Sequence, residues 1–153
     1  MNIEIFGVDD ATRLRRAIDV RTDVFVVEQS VPPELEIDEH DRTDPQSAHV
    51  ILTEGSQTFA AGRFYRNEFG DAQIGRMAVR KSARGRGLGR MMLDALLEEA
   101  GRRGYSRATL HAQVHALDFY RKAGFTERGD HFDDAGIAHQ EMSRLVGDHC
   151  HHG

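Results

Sequence analysis

The sequence has little of several features that would assign it to a specialised class. Its 153 residues include one cysteine, Cys150, no tryptophan and three prolines. A single cysteine cannot close a disulfide within the chain, which favours a reducing compartment, so we predict a cytoplasmic protein. No apolar run approaches the length of a membrane span, and the N-terminus lacks the positive start and apolar stretch of a secretory signal.

The chain is also short of positive charge. Its 25 acidic and 20 basic residues give a net charge of -5. Binding to nucleic-acid phosphates needs a basic face, so we expect no nucleic-acid partner and no membrane partner. Its length and its 39% of hydrophobic residues suffice for one core. We therefore predict a single domain over residues 1–146, followed by a flexible tail over 147–153 that holds no metal despite its histidines.

Hydrophobic periodicity divides the chain into strands and helices. Alternation predicts seven strands, at residues 2–6, 48–53, 58–65, 72–80, 107–113, 125–132 and 137–145. Helical spacing predicts helices from Asp9 or Asp10 to about Val27, from Leu88 to Arg103 and over 115–123. We expect an α/β (α+β) protein in which three to four helices flank a mixed sheet of about seven strands.

An acidic segment separates the first helix from the second strand. Residues 28–44 contain seven acids and one base, Arg42, and their apolar pattern stops. We predict an ordered loop there. It is either a solvated run of charge or a rim that attracts a cationic substrate.

A glycine-rich turn joins the fourth predicted strand to the long helix. Residues 84–90 have the sequence RGRGLGR, and residues 80–90 contain five bases and no acid. Glycine permits a positive φ and lets an anion approach the amides of a helix N-terminus. The spacing fits neither the P-loop nor the dinucleotide-binding fingerprint. We predict a polyanionic ligand; the alternative is that the glycines are structural and the arginines solvated.

This turn resembles the GNAT superfamily of acyl-CoA-dependent N-acyltransferases, whose signature Q/R-x-x-G-x-G/A is matched by Arg84, Gly87 and Gly89. The segments IGRMAVRKSARGRGLG and LHAQVHALDFYRKAGF resemble two consecutive strand–helix units of that family. The segments VFVVEQSVP and FDDAGIAH, with the LHAQ motif, resemble a small bacterial subgroup. The resemblance implies a central sheet that is splayed between its fourth and fifth strands.

The resemblance also implies a cofactor, acetyl-CoA, and no metal. Its pyrophosphate would lie on the glycine-rich turn, and its pantetheine arm would pair with the preceding strand. The matching residues are Met77, Ala78, Val79, Arg84, Gly85, Arg86, Gly87, Leu88, Gly89 and Arg90. A backbone N–H near Met77 or Ala78 would hold the oxyanion of a tetrahedral intermediate.

Tyr120 would protonate the leaving thiolate, as the matching tyrosine does in the family. Its alternative role is that of an ordinary core aromatic. The general base stays open among Glu28, His111 and His139, each of which also has a structural interpretation. Glu28, Gln29 and His139 are candidates for contact with the substrate.

The predicted activity is therefore N-acetylation of a primary amine on a small molecule or peptide, by a monomer or a homodimer. The alternative is a catalytically silent acyl-CoA sensor or interaction module.

Overall fold

A computed structural model describes residues 1–134 and 136–146. Its strands are β1 Asn2–Phe6, β2 Ala48–Glu54, β3 Gln57–Arg66, β4 Ala72–Val79, β5 Arg107–Gln113, β6 Thr126–Asp134 and β7 Ile137–Leu145. Its helices are α1 Ala11–Arg21, α2 Pro33–Glu36, α3 Leu88–Arg102 and α4 Leu117–Lys122. The seven predicted strands are confirmed, each to within two residues at either end.

The strands form one mixed sheet in the order β1-β2-β3-β4-β5-β7-β6. β4 and β5 are parallel, whereas β1 with β2, β2 with β3, β5 with β7 and β6 with β7 are antiparallel. The parallel pairing joins residues 72–74 to residues 108–110, although β4 continues to Val79 and β5 to Gln113. The predicted mixed α/β architecture is confirmed, and its two parallel strands pair over only part of their length.

The chain divides into two compact units, which we describe separately. The first unit comprises Met1–Tyr65 and Arg76–Leu96, and the second comprises Arg66–Gly75 and the described residues from Leu97 onward. No helix within the described ranges is both long and apolar enough to cross a membrane. The predicted tail, 147–153, lies outside those ranges.

The core of the first unit packs α1 against its strands. It contains the buried side chains of Phe6, Ala17, Val20, Val24, Ile51, Ala61 and Ala78. Asp10 caps α1 as predicted, since its carboxylate accepts the Arg13 N–H at 3.1 Å. The helix does not stay α-helical to Val27, because residues Thr22–Glu28 form a π-helical segment. Helical apolar spacing does not distinguish this wider turn from an α-helix.

In the second unit β7 lies between β5 and β6 and pairs with both. Leu110, Phe125 and Met142 are among its buried apolar side chains. A 3-10 turn, Val114–Ala116, precedes α4. The chain leaves α4 at Gly124, whose φ of +92° suits glycine, and then enters β6.

Candidate functional site

The glycine-rich turn is the exposed start of α3. Gly85 and Gly87 have φ values of +83° and +77°, in the left-handed region that glycine enters without strain. A Cβ atom at either position would meet nothing within 4 Å. Backbone conformation, and not crowding, therefore requires these glycines. The first intrahelical bond runs from the Met91 N–H to the Gly87 carbonyl at 3.2 Å, so the amides just before it form a helix N-terminus suited to an anion.

Each arginine of this turn, and Arg80 before it, has an acidic partner in the first unit. The pairs are Arg80 with Asp23, Arg84 with Glu28 at 2.7 Å, Arg86 with Glu54 at 4.0 Å and Arg90 with Asp94 at 2.9 Å. The side chains of Arg84, Arg86 and Arg90 are 45–47% exposed, so water screens these pairs. A ligand phosphate can therefore replace the carboxylates at little cost.

Glu28, a candidate base, closes the π-helical segment. Its Oε1 accepts from Arg84 Nη2 at 2.7 Å, and Arg84 Nε donates to the Val79 carbonyl at 3.0 Å. The Glu28 carboxylate thus forms an ion pair with the Arg84 guanidinium, which is the structural alternative to a role as the general base. Gln29 follows, and its N–H donates to the Val24 carbonyl at 3.1 Å.

The three residues expected to contact the pantetheine arm end β4. The Ala78 side chain is buried in the core of the first unit, so this residue can offer a ligand only its backbone. Just before them, Arg76 has a φ of +50°, and Ser30 is the only other non-glycine residue with a positive φ in the described ranges. A non-glycine residue in this region costs about 1–3 kcal/mol and persists only where its surroundings enforce it.

The acidic segment is neither a loop throughout nor uniformly solvated. It contains α2 and a 3-10 turn, Glu39–Asp41, and the side chains of Glu36 and Asp41 are buried. Arg21 donates to Glu36 Oε1 at 2.7 Å and to both Asp41 oxygens at 2.7 and 2.8 Å. Arg63 bridges Asp38 and Asp41 at 2.7 and 2.8 Å. We call Arg21, Glu36, Asp38, Asp41 and Arg63 the buried ion network.

This network shifts the pKa of its acids in opposite directions. Burial would raise the pKa of Asp41, but hydrogen bonds and charge from Arg21, with the charge of Arg63, hold it below its ordinary value. For Glu36 burial prevails, and its pKa is raised despite Arg21. Glu36 and Asp41, two of the seven acids, are therefore buried partners of Arg21 and not part of a solvated run of charge.

Tyr120 lies on α4 in the second unit, edge-on to two phenylalanine rings. Its ring centroid is 5.0 Å from that of Phe119 and 6.0 Å from that of Phe125. Burial raises the pKa of its hydroxyl to about 12. No hydrogen bond joins this hydroxyl to another group in the described ranges. Tyr120 is thus a partly buried aromatic against two phenylalanine rings and a protonated donor with no partner among the described residues.

His111 and His139 flank Phe132 in the same unit. The His111 ring lies edge-on to Phe132 with centroids 5.0 Å apart, and the His139 ring stacks on it at 5.9 Å. His139 Nδ1 lies 2.7 Å from the Ile137 carbonyl, which can only accept, so in the neutral ring Nδ1 carries the proton. Its Nε2 keeps a lone pair with no partner in the described part of the chain. His111 is exposed, and no such bond fixes its tautomer.

Sequence reasoning missed two of these features, Phe132 between the histidines and Arg76 in β4. The arginines on the polar face of the first helix were a signal for the buried ion network, since an acid-rich segment follows that helix. For Arg76 the only signal is Gly75 inside a strand pattern. The described residues contain no group of three or more side chains arranged to hold a metal ion.

Comparison with known proteins places these features in context. The sequence profile of the acetyltransferase (GNAT) domain matches residues 14–146. YjcF of Bacillus subtilis, named as an uncharacterized N-acetyltransferase, is 38% identical over 133 residues, which cover 86% of this chain and 92% of that protein.

Solved structures resemble the whole fold. An acyl-CoA N-acyltransferase from Pseudomonas aeruginosa has a TM-score of 0.86 and 28% identity over 94% of this chain and 98% of its own. An aminoglycoside 6'-N-acetyltransferase complexed with coenzyme A has a TM-score of 0.75 over 95% of this chain and 97% of its own. Its identity is 13%, so that likeness concerns the fold alone.

Proposed function

Because the chain belongs to the family of GNAT acetyltransferase domains, we propose that it is an N-acetyltransferase that moves an acetyl group from acetyl-CoA to a primary amine of a small molecule or peptide. The observation that carries this proposal is the start of α3. There two left-handed glycines open a helix N-terminus among exposed arginines whose carboxylate partners can be exchanged.

The cofactor binds through the first unit. The pyrophosphate accepts hydrogen bonds from the amides of residues 85–90, and Arg84, Arg86 and Arg90 neutralise its charge. The pantetheine arm pairs with the backbone of Met77, Ala78 and Val79 as an additional strand would. The buried side chain of Ala78 supports this backbone mode.

The reaction is a direct transfer. The lone pair of the neutral amine attacks the thioester carbonyl carbon, and a backbone N–H of Met77 or Ala78 stabilises the oxyanion. Collapse of the tetrahedral intermediate breaks the carbon–sulfur bond. The amine nitrogen loses one proton and the coenzyme sulfur gains one, so the products are an amide and free coenzyme A.

Tyr120 serves the leaving thiolate. A hydroxyl with a pKa of about 12 is fully protonated at neutral pH, so it is always available to donate to a sulfur whose ordinary pKa is about 8.5. The high pKa makes Tyr120 first a hydrogen-bond donor to the developing thiolate. Its hydroxyl has no hydrogen-bond partner in the part of the chain that the structure describes, which supports this role.

His139 is our choice for the general base. Glu28 is engaged by Arg84, and the tautomer of the exposed His111 is not fixed. The bond from His139 Nδ1 to the Ile137 carbonyl leaves Nε2 as a lone pair that can take the amine proton directly or through water. Glu28 and Gln29 remain candidates for binding the acceptor.

Coenzyme A release from acetyl-CoA, followed by thiol detection, tests the proposal with polyamines, aminoglycosides, amino acids and peptides as acceptors. We expect Tyr120→Phe to lower kcat roughly 100-fold with little change in acetyl-CoA binding. Gly87→Glu should abolish that binding, because it strains the turn and places a negative charge in the anion site. His139→Gln should lower kcat, because it removes the base that takes the amine proton, with little change in acetyl-CoA binding.

The chain offers matched controls for the changes at Tyr120 and Gly87. Tyr105→Phe removes the hydroxyl of a buried tyrosine in the same unit as Tyr120. Gly104→Glu imposes the same backbone strain as Gly87→Glu, since Gly104 has a φ of +88° and open space around it, but at the far end of α3. Acetyl-CoA binding without turnover on any amine would favour the acyl-CoA sensor. Absence of acetyl-CoA binding would refute the role of the turn.

A further inference from the structure

β4 has an arginine where its backbone conformation calls for a glycine. Arg76 has a φ of +50°, whereas its neighbour Gly75 has an ordinary φ. A Cβ atom at Gly75 would meet nothing within 4 Å, so neither crowding nor a positive φ requires glycine there. The strained conformation thus falls on the arginine and not on its glycine neighbour, and the contacts of the arginine side chain can stabilise it.

The side chain of Arg76 is anchored to the acidic segment. Its Nε donates to the Glu36 carbonyl at 3.0 Å and lies 3.9 Å from Glu36 Oε1. Its Nη2 lies 3.6 Å from Asp38 Oδ2. Two-thirds of the side chain is withdrawn from solvent, so these contacts are not a loose surface pairing.

The anchor points are themselves held in place. The Glu36 carbonyl also accepts from Arg21 Nη2 at 2.9 Å, and Arg63 donates to both oxygens of Asp38 at 2.7 Å. Arg21 and Arg63 are almost fully buried. Arg76 therefore connects the strained residue of β4 to the most rigidly paired charges of the first unit.

We propose that Arg76 is a positioning residue for acyl transfer: its anchored side chain enforces the left-handed backbone at residue 76, and this conformation sets the direction of the Met77 and Ala78 amides. This inference rests on the proposed function, which gives those amides the oxyanion. Rotating φ at residue 76 redirects the peptide groups that follow it, whereas the cofactor contacts of residues 84–90 stay unchanged.

Three variants separate the side chain from the backbone. Arg76→Ala loses the anchor and leaves a residue for which the left-handed conformation is strained, Arg76→Gly loses the anchor but tolerates that conformation without strain, and Arg76→Lys keeps the positive charge but lacks the planar guanidinium. We expect both Ala and Gly to lower kcat by roughly tenfold or more while the KM for acetyl-CoA changes less than about threefold, with partial recovery in Lys. Arg76→Gly should have a melting temperature at least as high as that of Arg76→Ala. A lower kcat in Arg76→Gly is then not caused by a folding defect.

A second measurement does not depend on turnover. In the wild type, the infrared carbonyl band of bound [1-¹³C]acetyl-CoA should lie below that of the free thioester, because the amide polarises it. In Arg76→Ala and Arg76→Gly the band should move back toward the free position. The matched control is Arg66→Ala, which removes an exposed arginine that lies over the Tyr105 ring, and it should change neither kcat nor the band.

Full kcat in Arg76→Gly, or the same bound carbonyl band in all variants, would overturn the positioning role. A wild type that binds acetyl-CoA but acetylates no amine would refute the proposed function. The carbonyl band would still decide the role of Arg76 in that case, so the two failures are distinguishable.

Discussion

Arginines in two regions of the first unit are paired with acids, and the two sets differ in almost every other respect. Arg21 and Arg63 are buried, and each donates to two carboxylates over 2.7–2.8 Å. Arg84, Arg86 and Arg90 at the start of α3 are nearly half exposed, and each has one acidic partner in the salt bridges of the described ranges.

The comparison shows that the contribution of an ion pair to stability or binding depends on whether the pair is buried or exposed. Breaking a buried pair leaves an uncompensated charge away from water, which is costly. An exposed pair is screened and contributes roughly 0–1 kcal/mol, so its carboxylate can give way to a ligand phosphate. We therefore expect the first set to determine stability and the second to determine binding.

The largest expected effect is that of Arg21→Ala. The variant leaves the carboxylates of Glu36 and Asp41 buried without this partner, so we expect a loss of about 3–5 kcal/mol in the free energy of unfolding. Urea unfolding at pH 7 measures it. Arg13→Ala is the matched control, because Arg13 also lies on α1 and pairs with two acids but is 45% exposed. The free energy of unfolding of Arg13→Ala should fall by less than about 1 kcal/mol. Equal losses in the two variants would contradict the expectation that buried and exposed pairs differ.

Lowering the pH is a second way to test the buried region. Burial lowers the pKa of His49 from its ordinary value to about 4. Between about pH 6.5 and pH 4 the unfolded chain thus binds a proton that the folded chain does not, so stability falls as the pH falls. We expect a loss on the order of 3 kcal/mol over this range, measured by urea unfolding at several pH values. In His49→Gln this part of the pH dependence should be absent; if it persists, other groups cause it.

The smallest expected effect on stability is in the exposed set. Arg86→Ala should change the free energy of unfolding by less than about 0.5 kcal/mol, yet weaken acetyl-CoA binding by roughly three- to tenfold. Calorimetric titration at two salt concentrations measures the binding, and the loss should shrink at high salt. Glu54→Gln removes the acidic partner of Arg86 and should act in the opposite direction. A drop in melting temperature for Arg86→Ala without a change in affinity would reverse the roles of the two sets.

The sequence predicts most of the fold because periodicity follows from burial. On α3 the apolar residues that recur at helical spacing, Leu88, Met92, Leu93, Leu96 and Leu97, are all buried. The same logic cannot identify the π-helical segment Thr22–Glu28, since an extra residue in one turn changes the apolar pattern too little.

The candidate site is only partly accessible to sequence reasoning. The glycines of the turn could be predicted, because a positive φ restricts residue choice. The arginines of the first helix and the acidic segment indicate charge in this region, but the pairing within the buried ion network could not be predicted, because its partners are 15–25 residues apart and meet only through tertiary contacts. The conformation of Arg76 could not be predicted either, because a positive φ is contrary to the local propensity of arginine. The contacts that anchor its side chain explain this conformation.

The strand order of the second unit has a consequence for the nascent chain. β6 is synthesised before β7, but β7 lies between β6 and β5 and pairs with both. When β6 leaves the ribosome it has no neighbour to pair with, and its edge stays open until residues 137–145 have followed. Charged residues such as Glu127, Arg128 and Asp130 on β6 are then its protection against pairing with another chain. A polar β6 thus suits both its edge position in the finished sheet and the interval before β7 is synthesised.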